Sequence, residues 1–292
     1  MDLATFLIQC LNALQYGLLL FLVASGLTLI FGIMGIINLA HGSFYMVGAY
    51  LAFGLAPAVA AVTGGGFFAT MLAGLAIAVL LGDLLEWAFF SFLDRREHLQ
   101  QVLMTYGLIL VFEELRSILV GDDVHGVPPP PLLAGSIELG DRMSYPVYRL
   151  FVSGVCLALA LAMYLVFSKT RLGMRIRAGS SNREMVASLG VDVAMLYRIV
   201  FAGGVALAAL AGIVAAPISS VYPGMGSTVL IVCFVVVVIG GIGSIRGALV
   251  ASLLIGAVDT FGKVLLPQAS GVLPYVLMAL ILLWRPGGLF KA

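Results

Sequence analysis

The chain has 292 residues, 62% of them hydrophobic and only 10% charged, with a net charge of +1. A soluble domain is about 25% charged, so this chain cannot clothe a water-facing surface of its size, and its near-neutral balance gives no reason to expect nucleic-acid binding. The apolar runs are continuous and about 20 residues long, which suits helices crossing a bilayer and excludes a barrel built from alternating segments of roughly ten residues.

The expected fold is therefore an all-α polytopic membrane protein, a single transmembrane domain over residues 1–292. Apolar runs at 5–31, 36–60, 66–92, 101–120, 147–167, 198–219, 227–241, 247–264 and 272–285 predict eight or nine transmembrane helices. The first run has only Met1-Asp2 before it and no small-residue cleavage site, so it reads as a retained span, not a signal peptide. The second opens on M-G-I-I-N-L-A-H-G-S-F-Y-M-V-G, residues 34–48. Asn38 and His41 are three apart and would share a helical face, with Gly32, Gly35 and Gly42 around them. Such polar groups are costly in hydrocarbon. Two readings stay open: hydrogen bonding across closely packed helices, or the lining of a polar path or gate. A metal site does not fit, because no second His or Cys stands at ligand spacing.

Asp83 and Glu86 in the third run are three apart, as are Glu113 and Arg116 in the fourth, which predicts an i,i+3 ion pair there. Asp259 lies near the outer end of a later run. An ion-driven carrier would need a deeply buried carboxylate for coupling, and Asp83, Glu86 and Glu113 are the candidates. They read equally as structural pairs. Loop 93–99 carries Arg95 and Arg96. Loop 121–146 carries Asp122, Asp123, Glu138 and Asp141 against Arg142, and its G-V-P-P-P-P-L predicts a stiff polyproline spacer. Loop 168–197 carries Lys169, Arg171, Arg175, Arg177 and Arg183, with Arg198 at its exit, and the tail carries Arg285 and Lys291. The positive-inside rule puts the basic loops in the cytoplasm and the acidic loop outside. With nine spans, the N-terminus is then outside and the C-terminus inside.

Within the basic loop, S-N-R-E-M-V-A-S-L-G predicts a short helix. Ser180 or Ser181 can cap it, Ser181 and Glu184 having capping-box spacing; Gly190 ends it, and Met185, Val186 and Leu189 form its apolar face. It could dock a soluble partner or lie along the lipid headgroups. Further on, V-I-G-G-I-G-S-I-R-G is either a tight cytoplasmic turn or a broken helix. Its glycine-isoleucine punctuation echoes F-G-I-M-G-I-I-N in the first half, the kind of pairing that marks a translocation path in transporters. Cys10, Cys156 and Cys233 each sit in an apolar run without metal spacing. The chain contains no G-x-x-x-x-G-K-[ST], H-E-x-x-H, G-x-S-x-G or C-x-x-C, so no catalytic residue and no cofactor is expected. Energy from ATP would have to come through another polypeptide.

The stretch Y-G-L-L-L-F-L-V-A-S-G-L-T-L-I-F-G-I-M-G-I-I-N-L-A-H-G-S-F-Y-M-V-G-A-Y resembles the permease subunits of branched-chain amino acid ABC transporters, the LivH type. So do R-A-G-S-S-N-R-E-M-V-A-S-L-G-V, V-V-V-I-G-G-I-G-S-I-R-G-A-L-V-A-S-L-L-I-G and the closing L-L-W-R-P-G-G-L-F. The resemblance implies a multi-pass importer subunit of the bacterial inner membrane. It implies partnership with a second, LivM-like permease, two ATPase subunits that hold the ATP and Mg, and a periplasmic substrate-binding protein. Coupling to the ATPase would fall to Ser181, Arg183, Glu184, Ala187 and Gly190. Asn38, His41, Gly42, Gly240, Gly241 and Gly243 would belong to a broken-helix region at the translocation path or gate. Relatives often carry proline where Arg246 stands. The same machinery serving urea, amides or aromatic acids is one alternative, and a stand-alone ion-coupled secondary carrier is another.

Overall fold

The computed structural model describes residues 3–63, 66–93, 96–138 and 144–290. Arg95, Asp141, Arg142 and Lys291, which contribute to the charge pattern above, lie outside the described residues. In hydrocarbon every backbone N–H and C=O needs an internal partner, and the sequence meets this with helices. These are α1 (Leu3–Met34), α2 (His41–Thr63), α3 (Phe67–Leu85), α4 (His98–Val120), α5 (Val147–Lys169), α6 (Arg171–Ser181), α7 (Arg183–Ser188), α8 (Val193–Ser219), α9 (Met225–Gly240), α10 (Ile245–Leu265) and α11 (Leu273–Trp284). A π-helical turn over Glu86–Phe90 and a last turn at Ser91–Leu93 prolong α3. In the acidic loop, β1 (Ser136–Glu138) and β2 (Ser144–Pro146) pair antiparallel, with Ile137 opposite Tyr145.

Six of the described helices, rather than the expected eight or nine, are long and apolar enough to cross a bilayer: α1, α2, α3, α5, α8 and α10. Helices α9 and α11 are apolar but have only 16 and 12 residues. Helix α4 has 23 residues but carries Gln100 and Gln101 near one end and Glu113, Glu114 and Arg116 near the other. The bundle is built around α1 and α8, buried over 89% and 78% of their most apolar stretches, against 17% for α5. Their backbones approach where Gly26 faces Gly204, the small-residue contact that lets dispersion act over a long seam without a hydrophobic drive.

The charged segments sort to two ends. Leu172 and Ile176 of α6 line the same cleft as Leu29 near the C-terminal end of α1, and the turn at Gly243 lies on Gly32. At the other end Arg149 donates to Asn12 at 2.6 Å, and His125 of the acidic loop exchanges backbone hydrogen bonds with Val221, both 2.8 Å. The last proline of the run, Pro131, starts a single 3-10 turn over Pro131–Leu133.

Two connections fold back into the bundle. Residues 35–40 follow α1 and are non-helical. They return so far that the ring of His41, the first residue of α2, reaches the carbonyl of Val23 at 2.9 Å. Val23 is eleven residues before Met34, about 16 Å at 1.5 Å per residue. From the opposite end, residues 220–224 bring the start of α9 inward. Gly226 lies on Gly42 and Met46, while Gly48 lies on Ala209, ten residues short of the end of α8. Helices α2 and α9 thus both begin inside the bundle, and their first turns cross at Gly42 and Gly226. A Cβ on Gly42 would strike the Gly226 carbonyl and the Leu230 side chain, whereas one on Gly54, in the same helix, meets nothing within 4 Å. Gly42→Ala is expected to cost about 1–3 kcal/mol by overpacking, and Gly54→Ala to be neutral or slightly stabilising. Thermal unfolding of the two variants in detergent checks this.

Candidate functional site

A helix that starts inside a bundle leaves its first N–H groups without intrahelical partners. At α2 the N-L-A-H segment supplies them locally. The Asn38 side-chain carbonyl accepts from the Ala40 N–H at 3.0 Å, and its backbone carbonyl accepts from the His41 N–H at 3.3 Å. Asn38 and His41 are both fully buried. Because a carbonyl only accepts, the His41 Nε2 must carry a hydrogen and donate it to Val23. The Asn38 Nδ2 and the His41 Nδ1 have no hydrogen-bond partner among the described residues. The segment is pinned from α4 as well: the Thr105 hydroxyl lies 3.5 Å from the Ile37 carbonyl and 3.1 Å from that of Val102.

An aromatic shell seals this polar knot. Phe44 stands edge-on to His41 with centroids 6.2 Å apart, and edge-on to Phe112 of α4 at 5.7 Å and Phe201 of α8 at 6.1 Å. Phe90, in the π-turn of α3, packs on Phe201 at 4.3 Å. Helices α2, α4 and α8 therefore meet at the Phe44 ring, and α3 joins them through Phe90 on Phe201. Asn38 and His41 are hydrogen-bonded within the helix packing, as the first of the two open readings expects.

Gly240, Gly241 and Gly243 are elsewhere. Gly42 and Gly240 stand at opposite ends of α9, separated by about 21 Å of helix. Gly240 packs on Gly247 across a tight turn between α9 and α10, capped by the Ser244 hydroxyl, which accepts from the Gly247 N–H at 3.1 Å. The turn needs positive φ at Gly241 (95°) and Gly243 (83°), conformations that only glycine adopts readily. The tail seals it: Leu289 N–H donates to Ile239 at 2.8 Å and Phe290 N–H to Gly240 at 3.1 Å. Arg246 stands in the first turn of α10, where proline is equally accommodated. The true counterpart of N-L-A-H-G is Y-P-G-M-G, residues 222–226, which the sequence reading passed over. Its signal was Pro223-Gly224, a turn dipeptide, directly before an apolar run.

The basic loop differs from expectation in its capping. Ser181 ends α6, and Asn182 caps α7, its side-chain oxygen accepting from the Met185 N–H at 3.0 Å. The Ser181–Glu184 capping box does not form, because Asn182 is one residue closer to the helix start. Gly190 ends the turn as expected, with φ 81° and its N–H donating to Ala187 at 3.0 Å. Of the apolar face, Val186 is buried, while Met185 and Leu189 are 62% and 77% exposed. Glu184 and Ala187 are exposed beside them. Asp192 then caps α8.

Asp83, Glu86, Glu113 and Asp259 are each in an ion pair. Arg198, one and a half turns into α8, holds Asp83 of α3 through two hydrogen bonds of 2.9 and 2.6 Å. Glu86, at the head of the π-turn and 3% exposed, lies 3.9 Å from the same guanidinium. Asp83 and Glu86 thus share a face as expected, but their cation, 115 residues away, was not paired with them in the sequence. Arg116 bridges Glu113 at 3.2 Å, as the i,i+3 spacing predicted, and also Asp122 at 2.8 Å. That second bond holds the Asp122 carboxyl below the usual carboxylate range. Asp259 pairs with Lys263 at 2.6 Å.

The comparisons with known proteins agree over nearly the whole chain. The family model described as the permease component of the branched-chain amino acid transport system matches residues 9–282. The chain is 30% identical to the high-affinity branched-chain amino acid transport system permease protein BraD of Pseudomonas aeruginosa, over 97% of this chain and 95% of BraD. It is 26% identical to the corresponding LivH protein of Escherichia coli K12, again over 97% of this chain and 95% of that protein. Among solved structures, PsaBC from Streptococcus pneumoniae in complex with Fab is similar at 12% identity and a TM-score of 0.46, covering 94% of this chain and 89% of that one. With its multi-pass helices and its match over residues 9–282, the chain belongs to the permease component family of branched-chain amino acid transport systems.

Proposed function

We propose that this chain is one transmembrane subunit of an ATP-driven importer that moves branched-chain amino acids across the bacterial inner membrane. The family match over residues 9–282 carries the proposal, and the printed names of BraD and LivH supply the solute class. The working complex contains a second, LivM-like permease, two ATPase subunits that bind ATP and Mg, and a periplasmic binding protein that delivers the amino acid. Nothing favours a stand-alone ion-coupled carrier: Asp83, Glu86, Glu113 and Asp259 are each held by a cation, and a coupling carboxylate must be free to take up and release its ion.

In this reading α7 is the coupling helix. Val186 fixes it to its own chain, and Met185 and Leu189, with Glu184 and Ala187, form the face that enters a groove on the ATPase. Displacement of α7 passes through the Gly190 turn and the Asp192 cap into α8. Arg198 carries it to α3, and the packed rings of Phe201, Phe90 and Phe44 carry it to the start of α2. There Asn38 and His41 act as a hinge, which moves by exchanging the bond to Val23 for one to another carbonyl of α1.

Copurification tests the assembly. Tagged permease extracted in mild detergent should bring down two ATPases and a second permease. A permease that comes alone yet drives uptake in liposomes under an ion gradient would overturn the reading. Combining Glu184→Arg with Ala187→Trp should lower uptake and ATPase stimulation about tenfold or more, the loss typical of a central interface contact, with membrane levels unchanged on immunoblots. Arg198→Ala leaves the buried Glu86 without its cation and should cost about 1–3 kcal/mol, read by thermal unfolding. Reversing the pair with Asp83→Arg and Arg198→Asp should recover part of that loss. His41→Leu removes the tie to Val23 and should abolish uptake while copurification of the ATPases persists, and a fully active H41L protein would remove the hinge.

A further inference from the structure

The cleft between α3 and α5 has no role in the account above. It has a volume of about 370 Å³, with Val79 of α3 and Phe167 of α5 on its walls and Gly203 of α8 on its floor. All of its lining residues are apolar. Helices α3, α5 and α8 are among those long and apolar enough to span the bilayer, which puts the cleft at hydrocarbon depth, where water is not a stable filling. Helix α6 closes one end by laying Leu172 and Ile176 into it. Its N-terminal Thr170 cap, accepting from the Gly173 N–H at 3.2 Å, sets α6 immediately after α5.

The row beside Leu172 and Ile176 on α6 is Arg171 and Arg175, an i,i+4 pair on one face. Both are exposed, and neither has a hydrogen bond or ion pair among the described residues. Arg177 is anchored differently, donating to the Phe167 carbonyl at the cleft wall. A dry slot at acyl depth therefore ends beneath two cations with no acidic partner. An apolar helix from another subunit would fill the slot but leave those charges unanswered. A lipid with a phosphate answers both, the arrangement by which basic pockets between spanning helices hold anionic headgroups.

We propose that this cleft binds one anionic phospholipid of the leaflet on the basic-loop side, an acyl chain lying over Gly203 and the phosphate held by Arg171 and Arg175. The site holds α6 against α5 and so steadies the base from which α7 projects.

Native mass spectrometry of the detergent-purified full chain, with added dioleoyl phosphatidylglycerol or dioleoyl phosphatidylcholine, tests it. One phosphatidylglycerol per chain should survive delipidation while phosphatidylcholine is lost. Combining Arg171→Gln with Arg175→Gln should weaken phosphatidylglycerol retention about 25-fold, given roughly fivefold per arginine near an anionic surface. Gly203→Leu should abolish retention by filling the floor, since a Cβ there meets nothing within 4 Å and the fold should tolerate it. If G203L fails to assemble, the double arginine variant decides alone. Equal retention of the two lipids, or unchanged phosphatidylglycerol binding in the variants, overturns the proposal. So does cross-linking of a Leu159→Cys cleft residue to another subunit in place of lipid. None of these readouts depends on transport, so the proposal can fail while the importer assignment stands.

Discussion

A helix that begins inside hydrocarbon is possible only if the chain that leads to it is fully satisfied by its own protein. That requirement governs this fold. At α2 it is met by Asn38, which closes a turn onto Ala40 and His41, and by His41, which ties the turn to a carbonyl well within α1. The aromatic ring of Phe44 then shuts the knot off and gathers two further helices to it, α4 through Phe112 and α8 through Phe201. Removing one hydrogen bond therefore affects where α2 starts, and through α2 where α9 crosses it.

The second constraint is the lack of a hydrophobic drive between helices in lipid. Association must come from close packing, and here it comes through glycine and alanine. The seam between α1 and α8 at Gly26 and Gly204 buries two long helices that look, in sequence, no different from lipid-facing ones. That is why the apolar runs announced the helices well but not which were central: α1 and α5 read alike and are buried to very different extents. Periodicity carries no signal when every face is apolar.

What was legible followed from local chemistry. The helical class, the Arg116–Glu113 pair and the Gly190 stop each depend on residues a few positions apart. What was not legible depends on distance in the chain. Arg198 neutralises Asp83 across 115 positions, and Y-P-G-M-G meets N-L-A-H-G across the whole bundle. The capping error at α7 is of another kind: Ser181 and Asn182 are both good caps, and only the end of α6 decides between them. Apolar character alone also does not separate helices long enough to span, six among the described residues, from the short apolar helices α9 and α11.

The turn between α9 and α10 is closed by residues 289 and 290, whose amides cover the carbonyls of Ile239 and Gly240. These partners are synthesised about fifty residues apart. The hairpin can form as soon as α10 is made, but its last carbonyls wait until the residues after α11 have folded back onto it. Completion of that turn thus reports that the final helix is in place, so a chain shortened before Leu289 would present an unfinished helix end at the basic face, a local defect that quality-control proteases could recognise with the rest of the bundle intact.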